Sequence, residues 1–105
     1  MPVSKRHHLL AGDISEALRV SRKSFGVRQA ERYADAIEDA IEHVAAYPED
    51  GRRYRLRRGF WLFHIRRPKR RARHQLLYFV DDDGSVFLLR LLHDRMSVKR
   101  HIPEE

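Results

Sequence analysis

The twenty-one residues from Leu76 to Met96, LLYFVDDDGSVFLLRLLHDRM, constrain the fold more than any other stretch of the chain. Two apolar runs flank an acidic turn ending in Asp83-Gly84, a strong hairpin signal because glycine takes the positive-φ torsions of a tight turn without steric cost. With Asp83 and Gly84 as the two loop residues, Val80 pairs with Phe87, Tyr78 with Leu89 and Leu76 with Leu91 on one face. Phe79 with Leu88 and Leu77 with Arg90 then occupy the other. The first face reads as core. The second carries Arg90, costly to bury unpaired, so that face is expected to look onto solvent, a partner or an anion.

Upstream the period is helical. From Val27 to Tyr47, Ala30, Tyr33, Ala34, Ile37, Ile41 and Val44 fall on one helix face, with Glu31, Asp35, Glu38, Asp39 and Glu42 elsewhere on the surface. Pro48 and Gly51 end this helix, since proline cannot continue the hydrogen-bond ladder. A shorter helix is expected from an Asp13 cap to about Ser24, with Phe25-Gly26 as the break. So short a link folds the two helices into an antiparallel hairpin. After Gly59 the pattern changes to strands: Phe60 to Ile65, a basic turn at Pro68-Lys69-Arg70-Arg71, then His74 to Asp81 and Ser85 to Leu92. A strand between Val3 and Leu9 would be short and polar. The expected fold is α+β, one domain over residues 1–105, with the helical hairpin packed on a three- to four-stranded antiparallel sheet whose other face is partly open.

Charge narrows the partners. The net charge is +7, and from Gly51 to Val80 there is no acidic residue, while eleven of the 22 Lys and Arg lie between Arg52 and Arg73. That asymmetry implies a polyanionic partner, either nucleic acid or an acidic protein segment. Cysteine is absent, which excludes disulfides and thiolate zinc sites. The longest apolar run is too short to span a bilayer and the N-terminus lacks the features of a secretory signal, so no membrane association and a cytoplasmic location are expected. No metal site is expected either: His74 and His93 face each other in the register above without a third ligand, and His7 and His8, adjacent in an extended segment, point to opposite faces.

Several short patterns carry a resemblance. Gly26, Ala30 and Tyr33 fit G-x-x-x-A-x-x-Y; Pro48, Gly51 and Arg52 fit P-x-x-G-R; Leu56, Arg57 and Gly59 fit L-R-x-G. His74, Leu76 and Tyr78 then lead into Arg90, Leu92, His93, Met96, His101 and Ile102. From about Asp13 to Ile102 the chain resembles the ParE-type toxins of the RelE/ParE toxin-antitoxin superfamily. It departs from that pattern in the basic extension Pro68 to Arg73 and in its polar N-terminus.

The resemblance implies a small basic toxin of a type II toxin-antitoxin system, bound in a hetero-oligomer by a ParD-like antitoxin with an acidic C-terminal segment. DNA would be reached only indirectly, through the antitoxin. It also implies action as a non-enzymatic poison of DNA gyrase without a cofactor. The alternative drawn from RelE-like relatives is a ribosome-dependent mRNA interferase, with Arg90, His93 and His101 as catalytic candidates, since such cleavage needs an acid, a base and a cation at the phosphorane. A small basic nucleic-acid-binding module is the third reading. Candidate partner-binding residues are Arg57, Trp61, Phe63, Arg66, Tyr78, Arg90, His93, Arg95 and Met96. Trp61 and Phe63 share a strand face, where they could stack bases, pack against the helices or form a groove for an antitoxin's apolar anchors.

Overall fold

The computed structural model describes residues 3–66 and 73–103. The first helix, α1 (His8–Phe25), starts upstream of the expected Asp13 cap. Its N-cap is His7, whose Nδ1 accepts the Leu9 N–H at 3.2 Å; Asp13 lies inside the helix and is used by a tertiary contact described below. Gly26, at φ 92°, separates α1 from α2 (Val27–Ala46). A single linking residue in a conformation that favours glycine forces the two helices back against each other.

The stripe expected on α2 is the one that is buried: Tyr33, Ile37, Ala40, Ile41 and Val44 face the core. Ile37 is completely inaccessible. Truncating such a side chain to alanine costs about 2–5 kcal/mol, because the cavity left behind collapses only partly. A short 3₁₀ turn, Pro48–Asp50, ends the helical layer.

The sheet has five strands, β1 (Ser4–Arg6), β2 (Arg52–Arg53), β3 (Phe60–His64), β4 (His74–Val80) and β5 (Val86–His93), in the order β1-β5-β4-β3-β2. The expectation of three or four antiparallel strands therefore needs correcting, since the sheet is mixed. β1 runs parallel to β5, with Ser4 opposite Val86 and Arg6 opposite Leu88, while β2 pairs antiparallel with β3. Both added strands are short, charged and exposed. They join the sheet through backbone pairing and through contacts of their polar side chains, such as Arg6 with Glu38, and leave no apolar alternation to detect. The basic turn at Pro68 to Arg71 lies outside the described residues.

The central hairpin also differs near its turn. Asp81 and Ser85 close the loop, with Asp81 N–H to Ser85 O at 3.0 Å and Gly84 N–H to Asp81 O at 3.0 Å, and Gly84 sits at φ 87°. The loop thus holds three residues with a left-handed glycine, not two. Val80 consequently faces Val86, Phe79 faces Phe87 and Tyr78 faces Leu88. A bulge then leaves Leu89 without a partner, and the expected pairs Leu77 with Arg90, Leu76 with Leu91 and His74 with His93 resume beyond it.

The bulge decides which side chains meet. Leu88 and Leu91, three residues apart, both join the helix-side core, which includes Leu10, Ile37, Val44, Phe63, Ile65, Leu76 and Tyr78. Leu89 and Leu92 both join a smaller cluster on the opposite face with Leu62, Leu77 and Ile102. A strict two-residue period could do neither. The second face, expected to be partly open, is covered by the C-terminal segment: α3 (Val98–His101), capped by Ser97, brings Val98 and Ile102 against it. Among the described residues no helix is long and apolar enough to cross a membrane.

Candidate functional site: an arginine-rich loop over aromatic rings

Between β2 and β3 the chain reads Tyr54-Arg55-Leu56-Arg57-Arg58-Gly59, with one aromatic and one aliphatic side chain among the charges. Backbone bonds hold its two ends in place. Tyr54 N–H donates to Phe60 O at 2.8 Å, and Val80 N–H donates to Gly59 O at 2.9 Å. Gly59 adopts φ 88°, and a Cβ there would strike the ring of Phe79. The loop is therefore pressed onto the sheet at a point where only glycine fits.

Around it lies an open cleft of about 820 Å³, lined by Arg53, Tyr54, Arg55, Arg57, Arg58 and Gly59 together with Phe60, Trp61, Phe79, Val80 and Asp82. Two of the arginines lie over rings: the Arg53 guanidinium is 5.2 Å from the Trp61 centroid, and that of Arg57 is 5.2 Å from the Phe60 centroid. Stacking fixes the plane of a guanidinium while its edge donors stay available. Arg6, Arg19 and Arg90 each have a carboxylate partner, Glu38, Glu16 and Asp13 respectively. Among the described residues Arg53, Arg55, Arg57 and Arg58 have none.

The other candidate residues divide among several places. Phe63 is buried beneath α2, stacked on His43 at 5.5 Å, and with Arg66, whose guanidinium lies 5.5 Å from its ring, it lines a groove of about 190 Å³ with Ala36, Asp39, Ala40 and His43. Tyr78 is completely buried, so it cannot form part of a contact surface. Its hydroxyl donates to Pro48 O at 2.6 Å, and burial pushes its pKa up to about 12. The P-x-x-G-R pattern acquires a physical meaning here: Pro48 supplies the acceptor, a Cβ at Gly51 would collide with the Tyr78 hydroxyl, and the Arg52 guanidinium reaches Gln75 on β4 at 3.3 Å.

Arg90 does not face an open site. Its Nε and Nη2 donate to the two carboxylate oxygens of Asp13 at 2.7 and 2.9 Å, and Asp13 Oδ2 also accepts the Leu91 N–H at 3.0 Å. The hydrogen bond to Asp13 is the main reason the Arg90 pKa is raised further.

The histidines are spread along the same end of the sheet. His93 Nδ1 accepts the Arg95 N–H at 3.2 Å, and the His93 ring meets His74 edge-on at 5.3 Å. His74 Nδ1 in turn shares a 2.6 Å hydrogen bond with the Tyr33 hydroxyl. His101 Nδ1 is bonded to Ser97 O at 2.7 Å on α3. Met96 is exposed beside Arg95. Arg57 and Trp61 thus share the cleft, and Phe63 and Arg66 share the groove. Sequence reasoning missed the two phenylalanines of the cleft, Phe60 and Phe79, because they sit on neighbouring strands and meet only through the β3–β4 register, Phe60 opposite Phe79.

The family model described as ParE toxin of type II toxin-antitoxin system, parDE, matches residues 10–98. The chain is a member of the ParE toxin family. Toxin ParE1 of Mycobacterium tuberculosis is 35% identical over 79 residues, which span 74% of this chain and 74% of the relative, in both strain CDC 1551 / Oshkosh and strain ATCC 25618 / H37Rv. A chain from the solved chromosomal ParDE TA system of P. aeruginosa superposes with a TM-score of 0.73 at 15% identity, covering 89% of this chain and 96% of that one. At that identity the likeness concerns the fold.

Proposed function

We propose that this ParE-family toxin poisons DNA gyrase by binding, without catalysing bond cleavage itself, and that a ParD-like antitoxin with an acidic segment neutralises it in the cytoplasm. The observation that carries the non-enzymatic reading is the Arg90–Asp13 pair. A ribonuclease of the RelE kind would need Arg90 as a free cation near the scissile phosphate, whereas here a carboxylate takes its Nε and Nη2 donors and neutralises its charge. His93 and His101 are likewise engaged by local backbone groups on separate elements.

Charge supports the antitoxin. Arg66 at the mouth of the groove beneath α2, with the small side chains Ala36 and Ala40 in its wall, suits an acidic segment carrying modest apolar anchors. A supercoiling assay with purified gyrase and titrated toxin tests the target, run beside a ribosome-dependent mRNA cleavage assay. Inhibition with trapped cleaved DNA and intact mRNA is the expected result. Cleaved mRNA with unaffected gyrase would replace this reading by that of an mRNA interferase.

A further inference from the structure

We propose that the cleft between the Tyr54–Gly59 loop and the Phe60, Trp61 and Phe79 rings binds a single strand of nucleic acid, its arginines holding phosphates and its rings receiving bases. The inference goes beyond the gyrase reading and beyond the expectation that DNA is reached only through an antitoxin, because it concerns the isolated chain.

Three observations meet at this place. Arg53, Arg55, Arg57 and Arg58 all line the cleft and, among the described residues, none has a carboxylate partner. Four such cations, Arg53 at the end of β2 and three on the loop that follows, repel one another until an anion with several charges at regular spacing arrives. A strand's phosphates are such an anion, and the fork of an arginine matches phosphate oxygens two at a time.

The second observation is the alternation of charge and ring. Arg53 over Trp61 and Arg57 over Phe60, each at 5.2 Å, place a stacked cation and ring on each face of β3, at the end of the sheet that the loop wraps. Bases stack on both kinds of surface, and such stacking tolerates any sequence. An acidic peptide would use the guanidinium edges alone, whereas a base also stacks on the outer face of a guanidinium plane. The third is size and shape: the cleft is about 820 Å³, within the range of sites that take molecules of nucleotide size or larger. Its one acidic lining residue, Asp82, stands on the β4–β5 turn. That carboxylate repels phosphate, so the backbone of the strand lies along the arginine side and the bases turn toward β3 and β4.

Trp61 is the chain's one tryptophan, so base stacking in the cleft is read directly from its emission. The experiment titrates the full-length protein with thymidine and uridine oligonucleotides of about 12 residues, a duplex of the same length, and a poly-glutamate peptide. Expected are saturable quenching of Trp61 by at least one single strand and an affinity falling with salt at a log–log slope of about −2 to −3, for three or four phosphates engaged. Deoxyribo- against ribo-oligonucleotides separates a DNA from an RNA ligand. Arg53→Ala and Arg57→Ala, with folding checked by circular dichroism, should each weaken binding about tenfold and reduce the slope by about 0.7. Absence of quenching by either strand, binding indifferent to both substitutions, or equal quenching and affinity with poly-glutamate would overturn the proposal, the last in favour of a protein ligand.

Discussion

Asp13 of α1 and Arg90 of β5 lie 77 positions apart in sequence and form a two-pronged ion pair, with one Asp13 oxygen also accepting the Leu91 N–H. The carboxylate does for β5 what a neighbouring strand would do. β1 pairs with β5 only over Val86 to Leu88, and Asp13 satisfies a donor just beyond that short ladder. The pair therefore fastens the helical hairpin to the free part of the strand's edge.

Removing one partner should be worse than removing both. Asp13→Ala leaves a partly buried guanidinium and a backbone donor unpaired, and is expected to cost about 1–3 kcal/mol in urea unfolding, a range reduced because the pair retains some solvent contact. The double variant Asp13→Ala with Arg90→Met should recover part of that loss. Gyrase inhibition by Arg90→Met, normalised to folded protein, should equal that of the parent chain; a loss of inhibition with folding intact would give Arg90 a direct role.

Tyr78 sets an alkaline limit. Burial raises its pKa to about 12 in the folded chain, above the ordinary tyrosine value of 10.0, so the folded state retains this proton where the unfolded state releases it. Its contribution is complete below about pH 10 and is lost as pH rises through about 12, amounting to about 2–3 kcal/mol. Unfolding midpoints measured from pH 8 to about pH 11.5 should fall less steeply in Tyr78→Phe than in the parent. Parallel curves would show that the hydroxyl titrates as freely as in water.

Gly59 is expected to tolerate no side chain. Gly59→Ala must keep φ 88° and place a methyl group against the Phe79 ring, and a loss of about 1–3 kcal/mol follows from the torsion and the contact together. Gly12, around which a Cβ meets nothing within 4 Å inside α1, provides the contrast: Gly12→Ala should stabilise by up to about 1 kcal/mol. Thermal melts of the two variants report the difference.

Arg66→Glu should slow association with an acidic antitoxin severalfold at low salt, with the gap closing as ionic strength rises and the screening length shortens. Stopped-flow association rates at two salt concentrations measure this. Equal rates at low salt would remove Arg66 from the encounter surface.

The parts of this fold legible in the sequence are those with a repeating apolar signal. The α2 stripe from Tyr33 to Val44, the break at Phe25-Gly26, which narrows in the structure to Gly26 alone, and the inner half of the β4–β5 register follow from periodicity and turn chemistry. Asp13 was misleading, because an acidic residue before an apolar one looks like a cap, and only the tertiary fold reveals Arg90 as its partner. The outer half of the hairpin is offset because the run Leu88-Leu89-Arg90-Leu91-Leu92 is apolar on both sides of the bulge, so no change of phase is visible in it. β1 and β2 are defined by backbone pairing among charged residues. The cationic half of the cleft was visible as composition, but its aromatic half depends on which ends of β3 and β4 come together.

The parallel pairing of β1 with β5 joins Ser4–Arg6 to Val86–Leu88, two segments far apart in sequence. During synthesis the helical hairpin leaves the ribosome long before Leu76, Leu88 and Leu91, the residues that cover its apolar stripe, have been made. The second face of the sheet closes later still, when Val98 and Ile102 emerge. A message cut short anywhere before the last strand therefore yields a chain with an uncovered core, suited to proteolysis. Only translation carried through β5 and α3 delivers a covered core, so the topology itself ties any harm this molecule can do to synthesis of both elements.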